Sequence, residues 1–355
     1  MTQTAPPPIG ILEGFFGRSW SWEQRQRLAS FMRREGFDFY LYAPKSDRHL
    51  RSRWREHWPA DDWLALQQLR ATYRTAGISF GLGLSPLDLC SASGEADTDA
   101  LDRKIKRINE LDPNWLGLFF DDMRGDIPGL AKRQAELAHR AAQRSTAGTI
   151  LLCPTYYSDD PVLDKVFGAR PKGYLTQLGR ELDPSIEIFW TGPKVCSETY
   201  PLAHLEATAH QLGRKPFLWD NYPVNDGAIK SKHLYLQPPE ASRFHNRDAI
   251  AGIAANPMNQ FALSLPALCA LAQGVTQGGP TTLESALQHT LPHPLAVVLA
   301  QDADFFAQQG LNNLGDSERL RLLKRYEPLS EHEAAREIIA WLRGEYTFDP
   351  ACLTE

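Results

Sequence analysis

Short apolar runs alternate with amphipathic helical stretches from the N-terminus to about residue 275 of this 355-residue chain. Apolar runs of this length between polar loops predict buried strands, and their alternation with helices predicts repeated βα units in a parallel sheet. The predicted strands are Ile9 to Leu12, Phe37 to Tyr42, Ile78 to Leu84, Trp115 to Phe120, Thr149 to Cys153, Ile186 to Trp190, Pro216 to Trp219 and Ile250 to Ala254. Eight such units in roughly 250 residues favour an α/β fold of the (β/α)8 TIM barrel type, although a doubly wound sheet could carry the same alternation.

The segments between these runs have helical patterns, and the first of them also carries its own start and stop signals. Ser21 and Gln24 have the spacing of a capping box, and Gly36 is placed to end the helix that follows. We predict helices at Ser21 to Glu35, Asp61 to Thr75, Thr98 to Glu110, Leu130 to Arg144 and Leu202 to Leu212.

Strand-like runs cease beyond Gly278, Gly279 and Pro280, and the remaining chain has only helical patterns. The helices predicted there are Glu284 to His289, Pro294 to Gln308 and Glu331 to Gly344. We therefore expect a disordered proline-rich leader (1–8), a catalytic barrel (9–278) and a short C-terminal helical extension (279–355). The apolar residues of the last helix are Ile338, Ile339, Trp341 and Leu342, which either pack on the barrel or form a homodimer contact.

Charge and hydropathy exclude several classes of partner. A net charge of −5 and a pI of about 6.1 give no broad basic surface, so we expect no nucleic-acid partner. The first residues lack a basic cluster followed by an apolar segment, and no apolar run is long enough to span a bilayer. We therefore predict a cytoplasmic protein with no membrane partner.

The cysteine and histidine spacings argue against a disulfide framework and against a structural metal. The five cysteines, Cys90, Cys153, Cys196, Cys269 and Cys352, occur singly, with no CxxC and an odd total. None of the 10 histidines forms a metal-like cluster in the sequence. We expect reduced thiols, no metal and no cofactor.

Two adjacent carboxylates, Asp121 and Asp122, directly follow the strand that ends at Phe120. The C-terminal ends of barrel strands meet at one face, which is where barrel enzymes hold their catalytic groups. The positions after the other strands add amides, carboxylates, a lysine and aromatic rings, which suit the hydroxyl groups and apolar faces of a sugar. Taken alone, an acid pair after a strand more often caps a helix, Asn221 and Asn256 could stabilise turns, and Cys153 could be a packing residue.

The loops after the strands carry a set of motifs that resembles glycoside hydrolase family 84, the family of the O-GlcNAcases and of bacterial β-N-acetylglucosaminidases once called hyaluronidases. The motifs, in the order of that family, are Glu13-Gly14-Phe15-Phe16-Gly17-Arg18, Tyr42-Ala43-Pro44-Lys45, Phe120-Asp121-Asp122, Cys153-Pro154-Thr155-Tyr156-Tyr157, Trp190-Thr191-Gly192-Pro193-Lys194, Trp219-Asp220-Asn221 with Asp226, and Asn256-Pro257. The resemblance extends over about residues 9 to 275.

The resemblance implies a retaining exo-β-N-acetylglucosaminidase in which the substrate's own acetamide is the nucleophile, an exception to the usual scheme of two catalytic carboxylates. Asp121 would accept a hydrogen bond from the acetamide N–H, and Asp122 would protonate the glycosidic oxygen and then activate water. The implied substrate is an N-acetylglucosaminyl glycoconjugate, a glycoprotein or a glycan. The implied binding residues are Gly14, Lys45, Asn256 and Asp226 for the sugar, Asn221 for Asp121 or the acetamide, Tyr157 for the oxazoline oxygen, and Trp219 and Cys153 for the acetyl-methyl pocket.

Two alternative functions and two departures from the family pattern accompany this interpretation. The alternatives are a catalytically inactive N-acetylglucosamine-binding module and an endo-acting, hyaluronidase-like glycosidase. Tyr156 stands where relatives often carry an acid, and the loop Met123 to Asp126 differs from the usual acidic loop. We expect both near the pocket rim, where they would affect leaving-group preference. The basic, aromatic stretch from Arg51 to Trp58 is interpreted as a solvated helix face.

Overall fold

The computed structural model describes residues 6–90, 97–240, 243, 245–277 and 281–354. Its centre is a closed barrel of eight parallel strands paired in chain order, with the last strand paired to the first. The strands are β1 (Ile9–Glu13), β2 (Phe39–Tyr42), β3 (Ser79–Leu84), β4 (Trp115–Phe119), β5 (Thr149–Cys153), β6 (Glu187–Trp190), β7 (Phe217–Asp220) and β8 (Gly252–Ala255). The predicted TIM barrel is confirmed, and closure of the sheet excludes the doubly wound alternative.

Large aromatic rings fill the barrel interior, and glycines on neighbouring strands make room for them. The rings of Phe39 and Trp115 stack at 4.3 Å between centroids. A Cβ on Gly83 of β3 would lie 2.2 Å from the ring of Phe119 on β4, and a Cβ on Gly252 of β8 would lie 2.3 Å from the ring of Phe217 on β7. Because glycine has no side chain, a large ring can lie against its backbone, and the short strands close around a tightly packed core.

Helices surround the barrel and continue beyond it. They are α1 (Trp22–Glu35), α2 (Ala60–Ala76), α3 (Thr98–Asn109), α4 (Leu130–Arg144), α5 (Val162–Phe167), α6 (Tyr174–Glu181), α7 (Leu202–Leu212), α8 (Phe261–Gln277), α9 (Leu283–Thr290), α10 (His293–Gln308), α11 (Asp316–Tyr326) and α12 (Glu333–Leu342). At the start of α1 the predicted capping box is present, because Ser21 and Gln24 exchange side-chain-to-backbone hydrogen bonds of 3.1 and 2.7 Å. Gly36 ends the same helix in the left-handed conformation.

Four helices are absent from the sequence-based prediction. The helices α5 and α6 are too short to show a helical period clearly. The helix α8 is rich in apolar residues, so it has little amphipathic contrast, and it contains Pro266, a residue that normally ends helices. No comparable obstacle explains the omission of α11, which has both acidic and basic termini typical of a helix.

The C-terminal extension packs on the barrel through α12. Glu337 accepts hydrogen bonds of 3.1 and 3.0 Å from the backbone N–H groups of Ala262 and Leu263, at the N-terminus of α8. Trp341 is buried and donates to the carbonyl of Ser231 at 3.1 Å. The apolar face of α12 is therefore covered within the chain, as the first of the two alternatives predicts.

The proposed division into leader, barrel and extension stays a prediction. Residues 1–5 of the leader and the boundary at Gly278 lie outside the described residues, and 6–8 form no regular secondary structure. Among the residues that the structure describes, no helix is long and apolar enough to cross a membrane.

Candidate active site

A pocket opens at the C-terminal ends of the strands. The candidate residues from the sequence all line it: Gly14, Lys45, Asp121, Asp122, Cys153, Tyr157, Trp219, Asn221, Asp226 and Asn256. The barrel therefore brings together groups that lie more than 200 residues apart in the chain.

Asp121 is buried at the end of β4 and forms an ion pair with Lys45, which follows β2. The Lys45 ammonium also lies 5.5 Å from the centre of the Trp219 ring and 5.8 Å from that of Phe16. Only one oxygen of Asp121 meets the lysine. The other, Oδ1, is buried and has no hydrogen-bond partner among the described residues. An unsatisfied buried carboxylate oxygen is costly, so this atom is suited to accept a hydrogen bond from a ligand.

Asp122 has a different environment from its neighbour. Its backbone is in the left-handed region (φ 55°), which is uncommon for a residue other than glycine. Tyr157 donates a hydrogen bond of 3.2 Å to Asp122 Oδ1. Burial raises the pKa of Asp122 above its ordinary value, and the charge of Asp121 raises it further; Lys45, Arg51 and the Tyr157 hydrogen bond oppose the rise. The pair is thus divided into a lysine-bound carboxylate and a group that holds its proton to higher pH, as acid catalysis requires.

A chain of hydrogen bonds links the loops after β1, β6, β7 and β8. Trp219 Nε1 and Asn256 Nδ2 both donate to Asn221 Oδ1, at 2.9 and 3.0 Å. Asn221 Nδ2 donates to the carbonyl of Val195 at 2.9 Å, and Asn256 Oδ1 accepts from Gly14 N at 3.2 Å. These partners hold Asn221 beside Trp219 and Asn256 in the pocket wall, and its expected role towards Asp121 or the acetamide stays a prediction.

Gly14 is required by its neighbours in this wall. A Cβ at this position would lie 2.6 Å from Cζ2 of Trp219, so the space beside Gly14 is taken by the indole ring. Because glycine has no side chain, the Trp219 ring can lie against the backbone here, and the position of that ring shapes the pocket wall.

Asp226 and Cys153 complete the set of candidates. Asp226 Oδ2 accepts a hydrogen bond of 2.8 Å from the backbone N–H of Phe16, which holds the carboxylate at the pocket edge. Cys153 is buried, and burial raises the pKa of its thiol well above its ordinary range. Such a thiol is a wall residue and not a nucleophile.

Several residues of the site were not singled out from the sequence. Arg51 is buried and its Nη2 donates to the backbone carbonyl of Asp122 at 3.3 Å, while its Nη1 has no partner among the described residues. The additional lining residues are Phe16, Thr191, Val195, Cys196, Val224, Lys230, Cys352 and Thr354. Phe16 and Thr191 fall inside the quoted motifs and could have been found there. Cys352 and Thr354 have no sequence signal that points to the pocket.

Two sequence-based expectations are wrong. Tyr156 is fully buried, donates to the Gly168 carbonyl at 2.7 Å and packs under the loop at Gly125, so it is not a rim residue. The stretch from Arg51 to Trp58 is a series of turns, not a solvated helix. Within it Trp54 and Trp58 are buried and donate to the carbonyl of Leu87 and to Asp47 Oδ2, respectively.

Apart from the pocket, the fold gathers one histidine with two other possible metal ligands, and the ligand atoms of Glu35, Cys269 and His289 lie within 4.8 Å of one another. These residues come from α1, α8 and α9 and lie apart from the pocket lining. Hydrogen bonds within the group and from Arg34 already satisfy Glu35, at 3.0 Å to His289 and 2.7 Å to Arg34. We interpret the cluster as a contact that joins the extension to the barrel.

The closed barrel and the divided acid pair at its C-terminal mouth define a class, the (β/α)8-barrel hydrolases with a pocket for a small polar ligand. Residues 9–298 match the sequence profile of a family described as beta-N-acetylglucosaminidase. The chain belongs to that family, and the resemblance found in the motifs is confirmed.

Individual relatives agree with this assignment. The protein O-GlcNAcases of Rattus norvegicus and Mus musculus are each 30% identical over 273 residues, which is 74% of this chain and 29% of theirs. The chain therefore spans less than a third of the length of these curated relatives. A mutant O-GlcNAc hydrolase from Thermobaculum terrenum superposes with a TM-score of 0.75 at 30% identity, covering 94% of this chain and 80% of that one.

Proposed function

We propose that this protein is a retaining exo-β-N-acetylglucosaminidase that removes a terminal β-linked N-acetylglucosamine, with the substrate's acetamide as the nucleophile. The observation that carries the proposal is the buried Oδ1 of Asp121, which has no hydrogen-bond partner among the described residues. An acetamide N–H supplies the donor that this atom lacks. Holding that N–H directs the acetamide oxygen towards the anomeric carbon, and the carboxylate stabilises the positive charge of the forming oxazolinium.

Asp122 then has the acid and base roles. Its raised pKa keeps a proton available for the glycosidic oxygen as the bond to the leaving group breaks. Once the leaving group has departed, the Asp122 carboxylate takes a proton from the water that opens the oxazoline. Tyr157 hydrogen-bonds the oxazoline oxygen in this proposal, which its contact with Asp122 supports.

The remaining wall fits the other parts of the sugar. Trp219 and Cys153 form an apolar surface for the acetyl methyl group, with Trp219 held edge-on by Phe119 and Phe189 at 5.4 Å. Lys45, Asp226 and Asn256 present polar atoms for the hydroxyl groups. A glycoprotein or small glycan is the substrate that these features support; a cytoplasmic location and a homodimer stay predictions.

The first test is cleavage of 4-nitrophenyl N-acetyl-β-glucosaminide compared with the corresponding glucoside, which lacks the acetamide. We expect release of nitrophenol from the first substrate only. A series with one, two and three fluorines on the acetyl group should react progressively more slowly, because fluorine weakens the acetamide nucleophile. Comparable turnover of the glucoside would refute acetamide participation, and sugar binding without any turnover would instead support an inactive binding module.

The second test assigns the acid. In Asp122→Ala, kcat/KM should fall about 10²–10⁴-fold for a substrate with an alkyl alcohol leaving group, which needs protonation. A 2,4-dinitrophenyl leaving group departs without a proton and should lose much less in the glycosylation step. Asp99→Ala, an exposed acid on α3, is the matched control and should behave as the unaltered protein. Equal losses on both leaving groups would contradict the assignment.

A further inference from the structure

The segment that follows α12 returns to the pocket. Its last described residues alternate in exposure, with Cys352 and Thr354 half-buried and Ala351 and Leu353 exposed. An extended chain points successive side chains to opposite sides, which explains the alternation. Cys352 and Thr354 are the two that line the active-site pocket.

Thr354 reaches the groups proposed to perform the chemistry. Its Oγ1 lies 3.5 Å from the hydroxyl of Tyr157, and that hydroxyl donates to Asp122 at 3.2 Å. A threonine hydroxyl thus stands one hydrogen bond away from the proposed general acid. In a glycosylated peptide the leaving oxygen is itself a serine or threonine hydroxyl, and it must lie within reach of the same acid.

The segment is fixed firmly at its start and weakly near its end. Tyr346 is buried, and the Arg18 guanidinium lies 5.1 Å from the centre of its ring. Further along, a turn at Asp349 is held by bonds of 2.9 Å from the N–H groups of Ala351 and Cys352. Phe348 and Leu353, the large apolar residues of this part, are 42% and 51% exposed. Few buried apolar contacts hold the end of the segment, so displacing it costs little free energy.

We propose that residues 347–354 form a displaceable cover on the aglycone side of the pocket, in which Thr354 occupies the place of the hydroxyl that a glycopeptide substrate releases. The cover competes with the peptide part of the substrate and leaves the sugar site unaffected. The inference rests on the proposed function, because it identifies the aglycone side by the position of the acid. The cover therefore weakens binding of substrates whose leaving group is an extended peptide.

The test compares the full chain with a chain that ends at Tyr346 and so keeps the buried anchor. If the cover occupies the site most of the time, the apparent KM is raised by the inverse of the uncovered fraction. Removing the cover should then lower KM for a peptide carrying O-linked N-acetylglucosamine by about threefold or more, with kcat within about twofold. The inhibition constant of free N-acetylglucosamine, which fills only the sugar site, should not change.

Point variants and a binding measurement keep the test independent of truncation. Thr354→Ala should lower KM for the glycopeptide, whereas Leu353→Ala, on the exposed side of the same segment, should not. In hydrogen exchange on the full chain, a peptide bearing S-linked N-acetylglucosamine should accelerate exchange of the amides of 351–354. Free N-acetylglucosamine should leave their exchange unchanged.

The outcomes separate this inference from the proposed function. An unchanged or increased KM in the shortened chain would overturn the cover, because the segment would then be neutral or would help to bind the peptide. A parallel fall in the inhibition constant of free N-acetylglucosamine would overturn it too, since the segment would then block the sugar site. Absence of turnover of every N-acetylglucosaminide would instead be a failure of the proposed function.

Discussion

Replacing Lys45 with methionine would leave the buried carboxylate of Asp121 without its cation. The side chains of the two residues are only 2% and 6% exposed, so solvent cannot take the place of the lost partner. At the usual contact distance of an ammonium and a carboxylate, their attraction is about 6 kcal/mol at an effective dielectric constant of 20. The cost of desolvating both groups offsets most of this attraction, so the pair itself adds little net stability.

Removing one partner of this ion pair should change the free energy of unfolding far more than removing both partners. Lys45→Met and Asp121→Asn should each lower the free energy of unfolding by about 3–5 kcal/mol, because each leaves one buried charge uncompensated. The double variant should lie close to the unaltered protein, which corresponds to a coupling free energy of about 6 kcal/mol or more. Urea unfolding followed by tryptophan fluorescence measures all four proteins.

A surface pair in the same chain is the control. Arg53 and Glu56 form an ion pair whose side chains are both about half exposed, and the cycle Arg53→Met with Glu56→Gln should show no measurable coupling. If the cycle for Lys45 and Asp121 is additive within error, the pair is not a buried, mutually dependent unit. The account of Asp121 as an anion held ready by Lys45 would then be refuted.

Two further substitutions test how the wall and the acid are positioned. Arg51→Met removes a cation that lowers the pKa of Asp122, so the alkaline limb of the pH profile of kcat should move upward, whereas Arg51→Lys should keep it. A limb that does not move would show that Arg51 acts only on the backbone. Gly14→Ala places a methyl group against the rigid ring of Trp219 and should raise KM about tenfold or more. The control is Gly148→Ala, whose Cβ would meet nothing closer than 4.0 Å and which should leave KM unchanged. An unchanged KM in Gly14→Ala would show that the indole ring is not tightly held.

The sequence was sufficient for the barrel and for the list of candidate residues. Apolar periodicity and turn residues are local properties, and they predicted all the strands to within a few residues. The motif positions after the strands could be grouped because parallel strands deliver their C-terminal ends to one face. Prediction was poorest where local pattern is weak, as in α5, α6 and the apolar helix α8.

The sequence alone thus showed that Asp121 and Asp122 lie together at the end of a strand, and it showed the order of the motifs around them. Only the tertiary structure decided how the two acids differ, because the difference depends on partners distant in the chain: Lys45, 76 residues before Asp121, and Tyr157, 35 residues after Asp122. The same holds for Thr354, 197 residues from Tyr157. Burial and charge are set by everything that packs around a group once the barrel has closed, and no local pattern in the chain encodes that packing.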